Sequence, residues 1–198
     1  MTTMFDLAPA AGEAARLLRG ISDDQLDDPT PCTEYRIRDL ADHIGGLALA
    51  FTWAATKDPA IAASAAPAPD GSRLEPGWRA RFGDQLEELA LAWKSADAWE
   101  GMTRAGGVDL PGDVAGMVAL NELVIHGWDL AAASHQEYRP DPASLEASLQ
   151  FMIAAAAPDQ AAMRNAIFGP IVPMPDEAPV LERVLGLSGR NPSWVAPV

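Results

Sequence analysis

A chain of 198 residues can form one large domain or a domain with a smaller appendage, and it is long enough to bury a substantial core. Its 14 Lys and Arg against 28 Asp and Glu give a formal net charge of −14, which argues against nucleic acid, anionic membrane surface or any polyanion as partner, because those are held by clustered cations. One cysteine, Cys32, precludes an intramolecular disulfide. The N-terminus lacks the pattern of a signal peptide and no apolar run approaches a membrane span, so the expectation is a cytoplasmic protein with a small-molecule partner.

In chain order, apolar positions at Phe5, Leu7, Ala11, Ala14, Leu17 and Leu18 predict a helix over 4–20, ending at Gly20. The stretch 22–33, with two prolines and several acids, reads as a loop. Ile37, Leu40, Ala41, Ile44, Leu47, Ala48 and Phe51 then form an i, i+3, i+4, i+7 stripe over about 36–56. Two glycines inside that helix, Gly45 and Gly46, cost about 1 kcal/mol each relative to Ala, which suggests the close approach of another backbone or a ligand. A long loop over 58–74 precedes a third helix from Pro76 to about Ala98, with Trp78, Phe82, Leu86, Leu89 and Trp93 inward. Gly101, Gly106, Gly107 and Gly112 mark a loop or small hairpin over 99–112. A fourth helix runs from Asp113, as N-cap, to about Ser134. Beyond it, Asp141-Pro142 opens a helix to about 157, a shorter helix covers 159–165, the 168–175 run is extended, and a last helix spans 177–187. Four long helices followed by shorter ones predict an all-α protein: a four-helix bundle over 1–136 and a small, mainly helical C-terminal extension over 137–198 packed on it.

The fourth helix carries the anomaly. At about 100° per residue, Glu122, His126 and Asp129 share one narrow arc, bordered by Val118 and Ile125 on one side and Leu123 and Leu130 on the other. Buried carboxylates need partners, and no Lys or Arg lies between Arg104 and Arg139. Glu122 and His126, at i and i+4, can reach one ion. His135 belongs to the solvated helix exit, which leaves His43, on the second helix, as the remaining imidazole. His43, Glu122 and His126 make a two-imidazole, one-carboxylate set with an open fourth position, the pattern of a catalytic zinc site. Asp129, one turn beyond His126, fits an acceptor behind His126. The bland readings stay open: a lone core histidine is usually just hydrogen-bonded, and Glu122, His126 and Asp129 can form a purely structural polar network. Cys32, with no adjacent His or Lys in the chain, reads as packing rather than as a nucleophile. Arg183 is a candidate for an anionic substrate group, with a surface ion pair as the simpler reading.

Two stretches carry a family resemblance. Residues 28–46, Asp-Pro-Thr-Pro-Cys-Thr-Glu-Tyr-Arg-Ile-Arg-Asp-Leu-Ala-Asp-His-Ile-Gly-Gly, and residues 122–130, Glu-Leu-Val-Ile-His-Gly-Trp-Asp-Leu, resemble the DinB-like superfamily and, within it, the actinobacterial branch of mycothiol-dependent maleylpyruvate isomerase. The 168–175 segment is similar to the C-terminal tail of uncharacterised members of that branch. The resemblance implies a four-helix bundle that binds a divalent metal, usually zinc, through residues falling on His43, Glu122 and His126, and uses it to activate a thiol, mycothiol in actinobacteria. Tyr35 departs from the family's more frequent Trp. No arginine here could be matched to an anion-binding arginine of the isomerase, so the resemblance does not carry its substrate.

The expected function is a metal-dependent, thiol-dependent isomerase or S-transferase acting on a small electrophile. The alternative is a non-catalytic metal- or small-ligand-binding protein on the same bundle. Whether zinc or another divalent ion is used, and whether two chains pair, are left open by the sequence.

Overall fold

The computed structural model describes residues 4–58, 68–165 and 167–196. Helices α1 (Ala8–Gly20), α2 (Ile37–Thr56), α3 (Trp78–Ala92) and α5 (Gly112–Ala133) form the expected four-helix bundle, with a short α4 (Ala96–Trp99) and a two-stranded hairpin of β1 (Met102–Ala105) and β2 (Val108–Pro111) between α3 and α5. Around the bundle, α1 packs on α3 and α5, and α2 packs on α3 and α5, so α1 and α2 are diagonal. The core is one continuous cluster, with Leu17, Leu18, Ile37, Leu40, Ile44, Leu86, Leu89, Leu120 and Leu130 fully enclosed. No helix among the described residues is long and apolar enough to cross a membrane.

The third predicted helix is broken. It stops at Ala92, turns through Lys94 and Ser95, and resumes as α4, because Trp93 and Trp99 fold against each other with ring centroids 5.0 Å apart. Their indole N–H groups donate to the Phe51 carbonyl (3.0 Å) and the Trp93 carbonyl (2.8 Å), so burying both rings with satisfied N–H groups outweighs a continuous helix. Its start also lies past Pro76, since Gly77 takes a left-handed φ of 83° and serves as the N-cap. The glycine-marked segment is the hairpin: Gly106 and Gly107 occupy its turn with φ of 58° and 83°, the geometry a tight two-residue connection requires. Most of the expected 58–74 loop, residues 59–67, lies outside the described residues; its end forms a 3-10 turn at Gly71–Arg73.

After α5, helices α6 (Pro142–Ala155), α7 (Ala161–Asn165) and α8 (Val180–Leu187) make up the C-terminal part. Asp141 caps α6 by accepting from the Ser144 N–H at 2.9 Å. The last helix begins later than its sequence pattern, at Val180, because Pro179 sets its entry. Helix α6 packs on both α5 and α8. Helix α5 is thus covered by the bundle on one side and by α6 on another, and every residue from Leu123 to Ala131 is buried. That burial explains why its sequence is apolar around nearly the whole circumference.

Candidate metal centre

Three elements converge on the arc of α5. Helix α2 brings His43 across from Glu122 and His126: His43 Nε2 lies 3.7 Å, and His126 Nε2 3.1 Å, from Glu122 Oε2. The two imidazoles meet edge to face with centroids 5.0 Å apart. The loop ahead of α2 covers them. Its Thr30 hydroxyl donates to the Cys32 or Tyr35 carbonyl, and the Tyr35 ring stands 5.4 Å from the His43 ring. The third element comes from beyond α8. Arg190 makes a two-point contact with Asp129, Nη2 to Oδ2 at 2.9 Å and Nε to Oδ1 at 3.3 Å, while Asp129 Oδ2 also accepts from His126 Nδ1 at 2.9 Å.

The electrostatics follow from burial and from these partners. Burial alone would raise the Glu122 carboxyl, but hydrogen bonds from His126 and His43 hold it well below the ordinary carboxylate range. Burial alone would lower His126, yet hydrogen bonds to Asp129 and Glu122 and their charges raise it to about 9. Cys32 has its sulfur close to His126 and Asp129, within 4.8 Å by ligand atoms, and desolvation pushes its thiol up to about 11, against the opposing charge of Arg190. A protonated thiol is a poor nucleophile, which agrees with the packing role expected for Cys32.

The donor set has the spacing a divalent metal requires. The ligand atoms of His43, Glu122 and His126 all lie within 4.8 Å of one another. Metal–ligand bonds of roughly 2.0–2.2 Å in a tetrahedral shell place neighbouring donors about 3.3–3.6 Å apart, and the separations of 3.1 and 3.7 Å bracket that range. Asp129 binds His126 Nδ1 and so leaves Nε2 to face Glu122, the orientation that metal-bound imidazoles obtain from a carboxylate behind them. The residues fit.

Asp129 does not lack a cation; Arg190 supplies one from 61 positions away. Among the described residues, the hydrogen-bond partners of Glu122 are the imidazoles of His126 and His43. Arg190 carried no signal in the sequence, since it belongs to no motif and follows a glycine in the tail. Arg183 lies on α8, partly buried, and takes part in no ion pair among the described residues. His135 is exposed, with a left-handed φ of 56° at the exit of α5. At Gly45 the close neighbour is a side chain, neither the backbone nor the ligand expected: a Cβ there would lie 2.5 Å from the Phe82 ring; Gly46 faces open space.

Fold and cluster together define a helical-bundle protein with a partly buried His-Glu-His constellation. Residues 7–131 match the family described as mycothiol maleylpyruvate isomerase N-terminal domain, and the chain belongs to that family, within the DinB-like class expected from its motifs. Two proteins from two strains of Mycobacterium tuberculosis, both described as uncharacterized, are each 34% identical over 189 residues, covering 89% of this chain and 91% of theirs. The crystal structure of the mycothiol-dependent maleylpyruvate isomerase superposes with a TM-score of 0.54 at 20% identity, over 74% of this chain and 66% of that one. A histidine-to-alanine mutant of that enzyme gives 0.55 at 19%. These structures share the fold.

Proposed function

We propose that this protein is a metal-dependent enzyme that uses a low-molecular-weight thiol, mycothiol, either to isomerise a small electrophile or as the group transferred onto it through the thiol sulfur. The observation that carries the reading is the His43, Glu122 and His126 cluster, with donor separations suited to one divalent ion and His126 held from behind by Asp129. Residues 1–136 then form the catalytic bundle and 137–198 an extension that supplies Arg190. Membership of a family named for a mycothiol-dependent isomerase supports the choice of thiol.

Zinc, the metal that best suits two imidazoles and a carboxylate, would be held by His43, Glu122 and His126, and when bound it supplies a Lewis acid that lowers the pKa of a coordinated thiol or water. The chain's own residues do the rest. Asp129 accepts from His126 Nδ1 and fixes the ring; Arg190 pairs with Asp129, which is 0% exposed, and offsets the cost of its burial. Tyr35 and the 30–35 loop shield His43.

Metal content by elemental analysis, with and without His43→Ala and His126→Ala, tests the centre. One equivalent in the wild type and loss in both variants are expected, together with mycothiol-dependent turnover of at least one member of a panel of small electrophiles. Protein that neither contains nor takes up a divalent metal would refute the proposal. A metal-loaded protein without turnover across a panel of electrophiles would favour a binding protein on the same bundle.

A further inference from the structure

Beside the cluster, the outer face of α2, the start of α3 and the hairpin enclose a cleft of about 940 Å³, within the size range of small-molecule sites, roughly 300–1,000 Å³. His43 forms part of its wall, whereas Glu122 and His126 do not reach it. A molecule lying in the cleft therefore meets the cluster at the His43 imidazole. Trp53 and Phe82 provide flat apolar surface, and Gly46 leaves open space where any side chain would project.

Charge distinguishes this cleft from the rest of the molecule. The chain is at −14, yet four of its 14 basic side chains line this one depression. Two of them are committed: Lys57 donates to the Asp97 and Glu100 carbonyls, and Arg73 pairs with Asp42 at 2.5 Å. The other two form only loose ion pairs. Arg81 stands 3.6 Å from Glu75, and Arg104, which also donates through Nη2 to the Gly107 carbonyl at 3.0 Å, stands 3.7 Å from Asp109, in pairs whose side chains are all 40% exposed or more. Pairs of that kind contribute little, so a ligand carboxylate can replace the protein's own at small cost. Arg81 also lies over the Phe82 ring, 5.1 Å from its centroid, which places a cation beside an aromatic surface. Finally, Gln85 lines the cleft, and its Oε1 is buried with no hydrogen-bond partner among the described residues, an acceptor awaiting an O–H or N–H donor.

We infer that this cleft binds a small organic anion: a flat apolar or unsaturated body whose carboxylate is met by Arg81 and Arg104 and whose hydroxyl or amine donates to Gln85. That this anion is the substrate rests on the metal-dependent reaction proposed above; the binding itself does not.

The test uses three probes, 6-hydroxy-2-naphthoate, 2-naphthoate and 2-naphthol, titrated by calorimetry into the full-length protein, both metal-loaded and chelator-treated. In the wild type the hydroxy acid binds at least tenfold tighter than 2-naphthol, and more tightly than 2-naphthoate. The double variant Arg81→Gln/Arg104→Gln loses the carboxylate preference and keeps its affinity for 2-naphthol. Gln85→Leu loses the advantage of the hydroxyl and keeps the carboxylate preference. Equal affinity for the hydroxy acid and 2-naphthol in the wild type, a preference that survives the arginine double variant, or failure of every probe to bind overturns the inference. The chelator-treated arm separates it from the metal proposal: selective anion binding in a protein that takes up no metal upholds the cleft while refuting the centre.

Discussion

Replacing Arg190 with methionine removes the cation that neutralises Asp129 and keeps much of the side-chain volume. Asp129 is 0% exposed and the Arg190 side chain 11%, so the pair is dry and doubly hydrogen-bonded. Removing one partner of a buried pair costs about 3–5 kcal/mol, but His126 remains bonded to Asp129 at 2.9 Å and retains about 1.5–3 kcal/mol of that, as a charge-assisted hydrogen bond does. The net loss is then roughly 2 kcal/mol, a fall in Tm of about 4–8 °C for a chain of this size. The informative measurement is a double-mutant cycle with Asp129→Asn, read by denaturant unfolding. If the two side chains act as a unit, Asp129→Asn should remove most of the cost of losing Arg190, with a coupling of about 2 kcal/mol. Zinc affinity should fall about 10–100-fold in Asp129→Asn, because His126 loses the carboxylate that fixes its ring. Additive effects within about 0.5 kcal/mol, with unchanged zinc affinity, would show that the tail does not support the cluster.

Three further outcomes are expected. Without metal, His126 keeps its proton up to about pH 9, so its pairing contributes full stability below its ordinary 6.5 and loses it as pH rises through 9. The metal needs that nitrogen deprotonated, so zinc affinity should rise about tenfold per pH unit over the same interval; a flat profile for both quantities counts against the assignment. Gly45→Ala should destabilise by about 1–3 kcal/mol, because its Cβ would meet the Phe82 ring at 2.5 Å, whereas Gly46→Ala, facing open space, should stabilise by about 0.5–1 kcal/mol; chemical denaturation decides whether the two differ in sign. Cys32, with its thiol at about 11, should react with iodoacetamide at pH 8 far more slowly than the unfolded chain, and a native rate matching the unfolded one would place the thiol outside its desolvated setting.

Much of the helix pattern was legible because each bundle helix buries one stripe against the others, and a stripe of period 3.6 is a local property of the chain. Leu40, Ile44, Ala48 and Phe51 show this on α2. The break between α3 and α4 was not legible, since it depends on Trp93 and Trp99 meeting each other and on Trp93 donating to Phe51, 42 positions away. The hairpin was half visible: its glycines marked a turn, but the hydrogen bond from the Thr103 hydroxyl to the Ala54 carbonyl, which ties β1 to the end of α2, joins residues 49 positions apart.

For the site, the sequence by itself determined which residue types share one face of α5, because helical geometry alone puts Glu122, His126 and Asp129 in one arc. His43 followed because the chain has few histidines and its helix had to pack somewhere in the bundle. What only the tertiary structure decided was the partner of Asp129 and the surroundings of His43. Arg190 reaches Asp129 because α6 packs on α5 and α8 on α6, bringing the tail back over the bundle. The cleft exists because the hairpin and the start of α3 stand off the outer face of α2. Contacts of that kind are made by side chains that no period in the sequence relates, so they are set by how whole helices dock rather than by any local pattern.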